Sequence, residues 1–117
     1  MPNVLLAEDE FLIRAVLVDA LGEVGLDCIE APTGQAALDV VTGTAPLSAI
    51  IVDIGLPDMS GERVIEAAAL HRPGTPIIRC SGASAPGRAG GPEVHVFSKP
   101  YSAAELSKFV ASLIVRD

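Results

Sequence analysis

A doubly wound α/β domain on a five-stranded parallel sheet is the fold this chain predicts, and three observations point to it. Short runs of branched apolar residues alternate along the chain with stretches of helical periodicity. Two of those runs, Val4-Leu5-Leu6 and Ile50-Ile51-Val52, show no polar alternation, as strands buried on both faces require. Half of the residues are apolar, yet only three Phe and one Tyr are aromatic, so the core must be built from Val, Leu, Ile and Ala. The 117 residues are expected to form one domain, residues 1–117. At that length a chain hides roughly two thirds of its unfolded surface and needs no disulfide or metal staple.

The elements follow in order. Asn3-Val4-Leu5-Leu6-Ala7 is a buried strand that ends in acid, Glu8-Asp9-Glu10. From Phe11 to Val24, residues Leu12, Ala15, Val16, Ala20 and Val24, joined by Ile13, Leu17 and Leu21, form the wide apolar stripe of a helix. Gly22 and Gly25 mark its end. Asp27-Cys28-Ile29-Glu30 has polar ends and reads as an edge strand. Thr33 caps a second helix, with Ala36, Ala37, Leu38, Val40 and Val41 on its apolar face, ending near Thr42-Gly43.

Ile50-Ile51-Val52 delivers Asp53 to the edge of the sheet, where Gly55 and Pro57 turn the chain. Ser60 then caps a helix through Val64, Ile65, Ala68, Ala69 and Leu70, which Pro73-Gly74 terminates. Pro76 to Ser81 and Val94 to Ser98 are the last two strands. Ser102-Ala103-Ala104-Glu105 has the capping-box form and opens a helix with Leu106, Phe109, Val110, Leu113 and Ile114 at helical intervals. Between the two strands, six of the twelve residues 82–93 are Gly or Pro. Interior Gly costs about 1 kcal/mol and interior Pro about 3 kcal/mol in a helix, so a loop or frayed turn is predicted where a fourth crossover helix belongs.

Composition narrows the function. The formal charge of -7, from 8 basic and 15 acidic residues, disfavours nucleic acid phosphates and anionic membranes as partners. Cys28 and Cys80 fall in separate strands without metal-type spacing and read as buried free thiols of a reducing compartment. No leader or membrane-spanning run is visible, and a cytoplasmic monomer is expected.

Parallel strands joined by right-handed crossovers share one carboxyl rim, where ligands bind in open α/β sheets. Glu8, Asp9, Asp53, Ser81 and Lys99 all fall there. Singly, each has a plain explanation as a cap, a turn residue or a solvated charge; together they do not.

Glu8-Asp9, the stretch Asp53 to Gly61, Ser81 and Lys99-Pro100 resemble the receiver domain of bacterial two-component response regulators, over nearly the whole chain. The resemblance implies a flavodoxin-like sheet ordered 2-1-3-4-5, with Asp53 accepting a phosphoryl group from a histidine kinase or histidine phosphotransfer protein. It further implies that Asp9, Asp53 and the main-chain carbonyl of Gly55 bind magnesium, with Glu8 acting mainly through water. The residue types suit this, because carboxylates about 4 Å apart repel by about 4 kcal/mol per pair at an effective dielectric near 20 and call for a hard cation. Lys99 and the Ser81 hydroxyl would then meet the phosphoryl oxygens. Gly82 follows Ser81, and Pro100 fits a family in which the bond after the lysine is usually cis and aims it inward.

Receivers often carry an aromatic switch residue three places before the lysine, where this chain has Val96; Phe97 comes one place later and, by strand alternation, faces the other way. Phe97 is therefore expected to be core, and ordering of residues 82–93 on phosphorylation is the expected switch. The chain ends at Asp117 without a segment to bind DNA, so a stand-alone receiver acting by protein contact is expected. Two alternatives differ in class. A pseudo-receiver would bind partners without phosphorylation, whereas a strand-end-Asp phosphatase of the haloacid dehalogenase type would need a second acid where Gly55 stands.

Overall fold

The computed structural model describes residues 2–81, 94–99 and 101–114. Its elements are β1 (Asn3–Ala7), α1 (Phe11–Glu23), β2 (Asp27–Ala31), α2 (Gly34–Val41), β3 (Ala49–Asp53), α3 (Gly61–His71), β4 (Ile77–Ser81), β5 (Val94–Ser98) and α4 (Ala103–Leu113). All strands pair in parallel, in the order β2-β1-β3-β4-β5, which is the predicted doubly wound sheet. The prediction for residues 82–93, Gly82 included, lies outside the described residues, as does Pro100.

Strand alternation splits the core in two. Leu5, Ala7, Ile50, Val52 and Ile77 face α2 and α3, where Ala37, Val41, Val64, Ile65 and Ala68 cover them. Val4, Leu6, Ile51, Ile78 and Cys80 face the other way, under Leu17 and Leu21 of α1 and Leu106 and Val110 of α4. Period-two side chains on strands buried on both faces require two such layers.

Three helices carry the N-caps the sequence predicts, whereas α1 starts after Glu10 without a side-chain cap. Thr33 Oγ1 accepts from Ala36 N, Ser60 Oγ from Glu62 N and Ser102 Oγ from Glu105 N, at 3.1, 3.2 and 3.2 Å. Gly25 follows α1 at φ +86°, a conformation glycine adopts without penalty. α1 stops one residue sooner than predicted, with Val24 as its C-cap.

Other details differ from expectation. β4 begins at Ile77, because Pro76 has no N–H for the ladder and contributes only its carbonyl, to Ile50 N. Cys28 is half-buried rather than buried, since β2 is an edge strand. Leu12 and Val16, assigned to the buried stripe of α1, are 75% and 56% exposed. A helix apolar on nearly every side does not announce which side turns inward.

Long-range polar ties complete the frame. Arg72, just past α3, donates to the carbonyls of Val40, Val41, Gly43 and Ala45, satisfying the C-terminal end of α2 and the turn after it. Among the described residues, no helix is long and apolar enough to cross a membrane.

Candidate functional site

The parallel register sets Ala7 beside Val52, Asp53 beside Cys80 and Ser81 beside Ser98. The residues that follow each strand therefore emerge at one rim. Glu8 and Asp53 are only 2% and 6% exposed there, while Asp9 is open to solvent. Oxygen atoms of Glu8, Asp9 and Asp53 lie within 4.8 Å of one another.

Each buried acid is held on both sides. Lys99 Nζ lies 2.9 Å from Asp53 Oδ2 and 3.9 Å from Glu8 Oε1. Gly55 N donates to Asp53 Oδ1 at 3.1 Å, and Glu10 N donates to Glu8 Oε2 at 3.0 Å. Burial pushes the Glu8 carboxyl up to about 7; donation from Glu10 N and the charge of Lys99 oppose this, while the charge of Asp53 and a hydrogen bond with Asp9 add to it. Burial alone would lower Lys99, but the hydrogen bond and charge of Asp53, with the charge of Glu8, outweigh it and raise its pKa. One ammonium thus serves two buried carboxylates, and the pocket remains rich in anionic oxygen. An all-oxygen set with no thiolate or imidazole fits a hard divalent cation such as magnesium.

The loop after β3 is fixed from two directions. Gly61 N donates to Ile54 O at 3.0 Å, and Gly61 is packed so tightly that a Cβ would stand 2.5 Å from Asp53 O and 2.8 Å from Ile54 Cα. Farther along, Asp58 accepts from Gly34 N at 2.7 Å and from Gln35 N at 2.9 Å, joining the loop to the start of α2. Donation from Gln35 N and then Gly34 N holds the Asp58 carboxyl below its usual range. Gly34 leaves room for Met59, whose side chain would overlap a Cβ there.

Ser81 ends β4 almost fully buried, and its carbonyl accepts from Lys99 N at 2.8 Å. The structure thus brings Glu8, Asp9, Asp53, Ser81 and Lys99 to one rim, with Gly55 in the adjoining turn. Val96 is 58% exposed. Phe97 turns to the opposite face, its ring 5.2 Å from Phe109 and 6.3 Å from Tyr101, as a core residue would.

Sequence reasoning did not anticipate Arg79. It is 3% exposed, and its Nε and Nη2 both reach Glu62 Oε2, at 3.0 and 2.6 Å. Its Nη1 lies 3.4 Å from Ser81 Oγ. A charge inside the run Ile77-Ile78-Arg79-Cys80 was the available signal, because a buried guanidinium must have an acid partner.

A five-stranded parallel sheet ordered 2-1-3-4-5, with an acidic pocket and Lys99 at its carboxyl rim, defines the flavodoxin-like fold of CheY. The chain belongs to the response regulator receiver domain family, whose model matches residues 4–111. It is similar, at 27% identity over 98% of each chain, to response regulator receiver protein CpdR of Brucella abortus. It is 31% identical to protein-glutamate methylesterase/protein-glutamine glutaminase 1 of Anaeromyxobacter dehalogenans over 74% of this chain, which spans about a quarter (24%) of that relative. A response regulator receiver protein from Sinorhizobium medicae superimposes with a TM-score of 0.87 at 26% identity, covering 96% of this chain and 93% of that one. Chemotaxis response regulator CheY4 of Vibrio cholerae gives 0.84 at 26% identity, covering 97% and 99%. The domain is a module of two-component signalling rather than an enzyme, and its acidic pocket is consistent with a phosphoacceptor site.

Proposed function

We propose that Asp53 takes a phosphoryl group from the phosphohistidine of a histidine kinase or histidine phosphotransfer protein, in a cytoplasmic relay. The observation that carries this is the Asp53 carboxylate itself, held by Lys99 Nζ at 2.9 Å and set among oxygens of Glu8 and Asp9 within 4.8 Å. An oxygen of Asp53 attacks phosphorus, the N–P bond breaks, its electron pair leaves with the imidazole, and an aspartyl phosphate forms. Transfer of this kind asks the protein for position and charge more than for covalent help.

Position comes from holding both Asp53 oxygens before the donor arrives, one by Lys99 and the other by Gly55 N. Asp9, Asp53 and the main-chain carbonyl of Gly55 would hold magnesium, with Glu8 acting through water, and the bound ion supplies positive charge to the phosphoryl oxygens. Lys99 neutralises charge from the other side, and the Ser81 hydroxyl donates to a phosphoryl oxygen once it is attached. Lys99 and Ser81 are joined through their backbones, so a pull on one is felt by the other. Two charge-assisted hydrogen bonds at about 1.5–3 kcal/mol each are of the order of the roughly 5.5 kcal/mol that turns a 1:99 equilibrium into 99:1.

The donor domain has a surface to rest on. An open groove of about 580 Å³, lined by Leu12, Ile13, Val16, Leu17, Tyr101 and Ala103, is also lined by Lys99, which touches Asp53. Exposed Leu12 and Val16 therefore share a groove with the lysine that holds the reacting carboxylate, an apolar face that suits the helix of a phosphohistidine-bearing domain.

Incubation with acetyl phosphate and magnesium, followed by intact-mass measurement, tests the assignment. One added phosphoryl group is expected, lost with EDTA and in Asp53→Asn. An unlabelled wild type would indicate a pseudo-receiver, and label persisting in Asp53→Asn would place the acceptor elsewhere.

A further inference from the structure

Arg79 is a buried charge on the strand that carries Ser81, and phosphoryl transfer to Asp53 leaves it without a task. Its guanidinium spends two N–H groups on Glu62 Oε2, at 3.0 and 2.6 Å, and turns Nη1 to Ser81 Oγ at 3.4 Å. Residues two apart on a strand share a face, so Arg79 and Ser81 stand side by side on β4. Glu62 belongs to the first turn of α3, one residue after Gly61, whose Cα is packed against the Asp53 carbonyl. The Glu62–Arg79–Ser81 chain thus joins the segment following Asp53 to the end of the neighbouring strand.

We propose that Arg79 is a positioning residue that makes the Ser81 hydroxyl a donor toward the phosphoryl group on Asp53. This rests on the function proposed above. A serine hydroxyl can donate one proton or accept, and its orientation decides which. A guanidinium only donates, so Nη1 fixes Ser81 Oγ as an acceptor on that side and commits its single proton elsewhere. A phosphoryl oxygen needs such a donor. A donor into Oγ also polarises the O–H bond, so the Arg79 and phosphoryl contacts strengthen each other. Glu62 holds the guanidinium fork in plane, so that Nη1 and not another nitrogen meets Ser81.

Beryllofluoride with magnesium, a mimic of the phosphoryl group on aspartate, gives the test, with affinity measured by isothermal titration calorimetry and stability by thermal unfolding. Ser81→Ala is expected to weaken binding about tenfold. Arg79→Met is expected to weaken it at least threefold in the Ser81 background and not at all in the Ser81→Ala background. Should Arg79→Met fold poorly, Arg79→Lys serves: an ammonium keeps a positive charge beside Glu62 but lacks the planar fork that turns Nη1 to Ser81, so the same loss is expected. Unchanged binding in Ser81→Ala would overturn the role of Ser81 proposed above. A Ser81→Ala loss with no loss in either Arg79 variant, or an Arg79 loss of equal size in both backgrounds, would overturn the positioning role alone.

Discussion

Gly61→Ala adds one methyl group at the most confined glycine beside the site. The new Cβ would stand 2.5 Å from Asp53 O, 2.8 Å from Ile54 Cα and 2.9 Å from Val52 Cγ1. The first two are backbone atoms of β3 and its turn and cannot rotate aside, so relief requires α3 to move away from the strand that carries Asp53. Overpacking of this kind costs about 1–3 kcal/mol, and fixed neighbours put this case near the upper end. Replacing Gly by Ala in a helix returns at most about 1 kcal/mol. A net loss of about 2 kcal/mol is expected, roughly a 30-fold change in the folding equilibrium and about 6–10 °C in Tm for a domain of this length. Urea unfolding should show a lower midpoint at unchanged slope, and beryllofluoride should bind more weakly because displacement of α3 disturbs the turn that joins it to Asp53, where Gly61 N donates to Ile54 O. Gly34→Ala is the internal comparison: its Cβ meets the flexible side chain of Met59, and it should cost less. A Gly61→Ala protein as stable as wild type, or a Gly34→Ala loss larger than the Gly61→Ala loss, would refute the reasoning.

Three other outcomes follow from the same contacts. Arg72→Met, which removes donors from the carbonyls of Val40, Val41, Gly43 and Ala45, should cost about 2–3 kcal/mol in urea unfolding, and Arg72→Lys should restore less than half of it. Burial pushes the Cys80 thiol from 9.0 to about 12, so its stabilising contribution is complete below pH 9 and is lost as pH rises toward 12, at up to about 1.4 kcal/mol per pH unit. The stability deficit of Cys80→Ala should therefore shrink by about 1 kcal/mol or more between pH 9 and pH 10.5; a constant deficit would contradict this. Val16→Glu, on the exposed face of α1, should slow transfer from a phosphohistidine domain at least tenfold while leaving labelling by acetyl phosphate unchanged.

Much of the site is legible in one dimension because strand ends are. Asp53 follows a run buried on both faces, Glu8-Asp9 follows another, and in a parallel sheet those ends must share a rim. The same alternation separates Val96, exposed, from Phe97, packed against Phe109. Exposure on α1 is not legible this way. Leu12 and Val16 are as apolar as Leu17 and Leu21, and only the direction from which β1, β2 and α4 approach decides which pair is covered.

From its sequence alone this chain determined the order of its elements, the caps at Thr33, Ser60 and Ser102, and the chemical character of the rim, because periodicity and capping are local and a strand carries its terminal residue wherever it goes. Tertiary structure decided which distant groups meet. Arg79 finds Glu62 across 17 residues, Arg72 reaches Val41 across 31, and Lys99 reaches Asp53 across 46. Such pairings depend on the crossing of helix over strand and on the lateral order of the sheet, neither of which is written in the spacing of residues along one element.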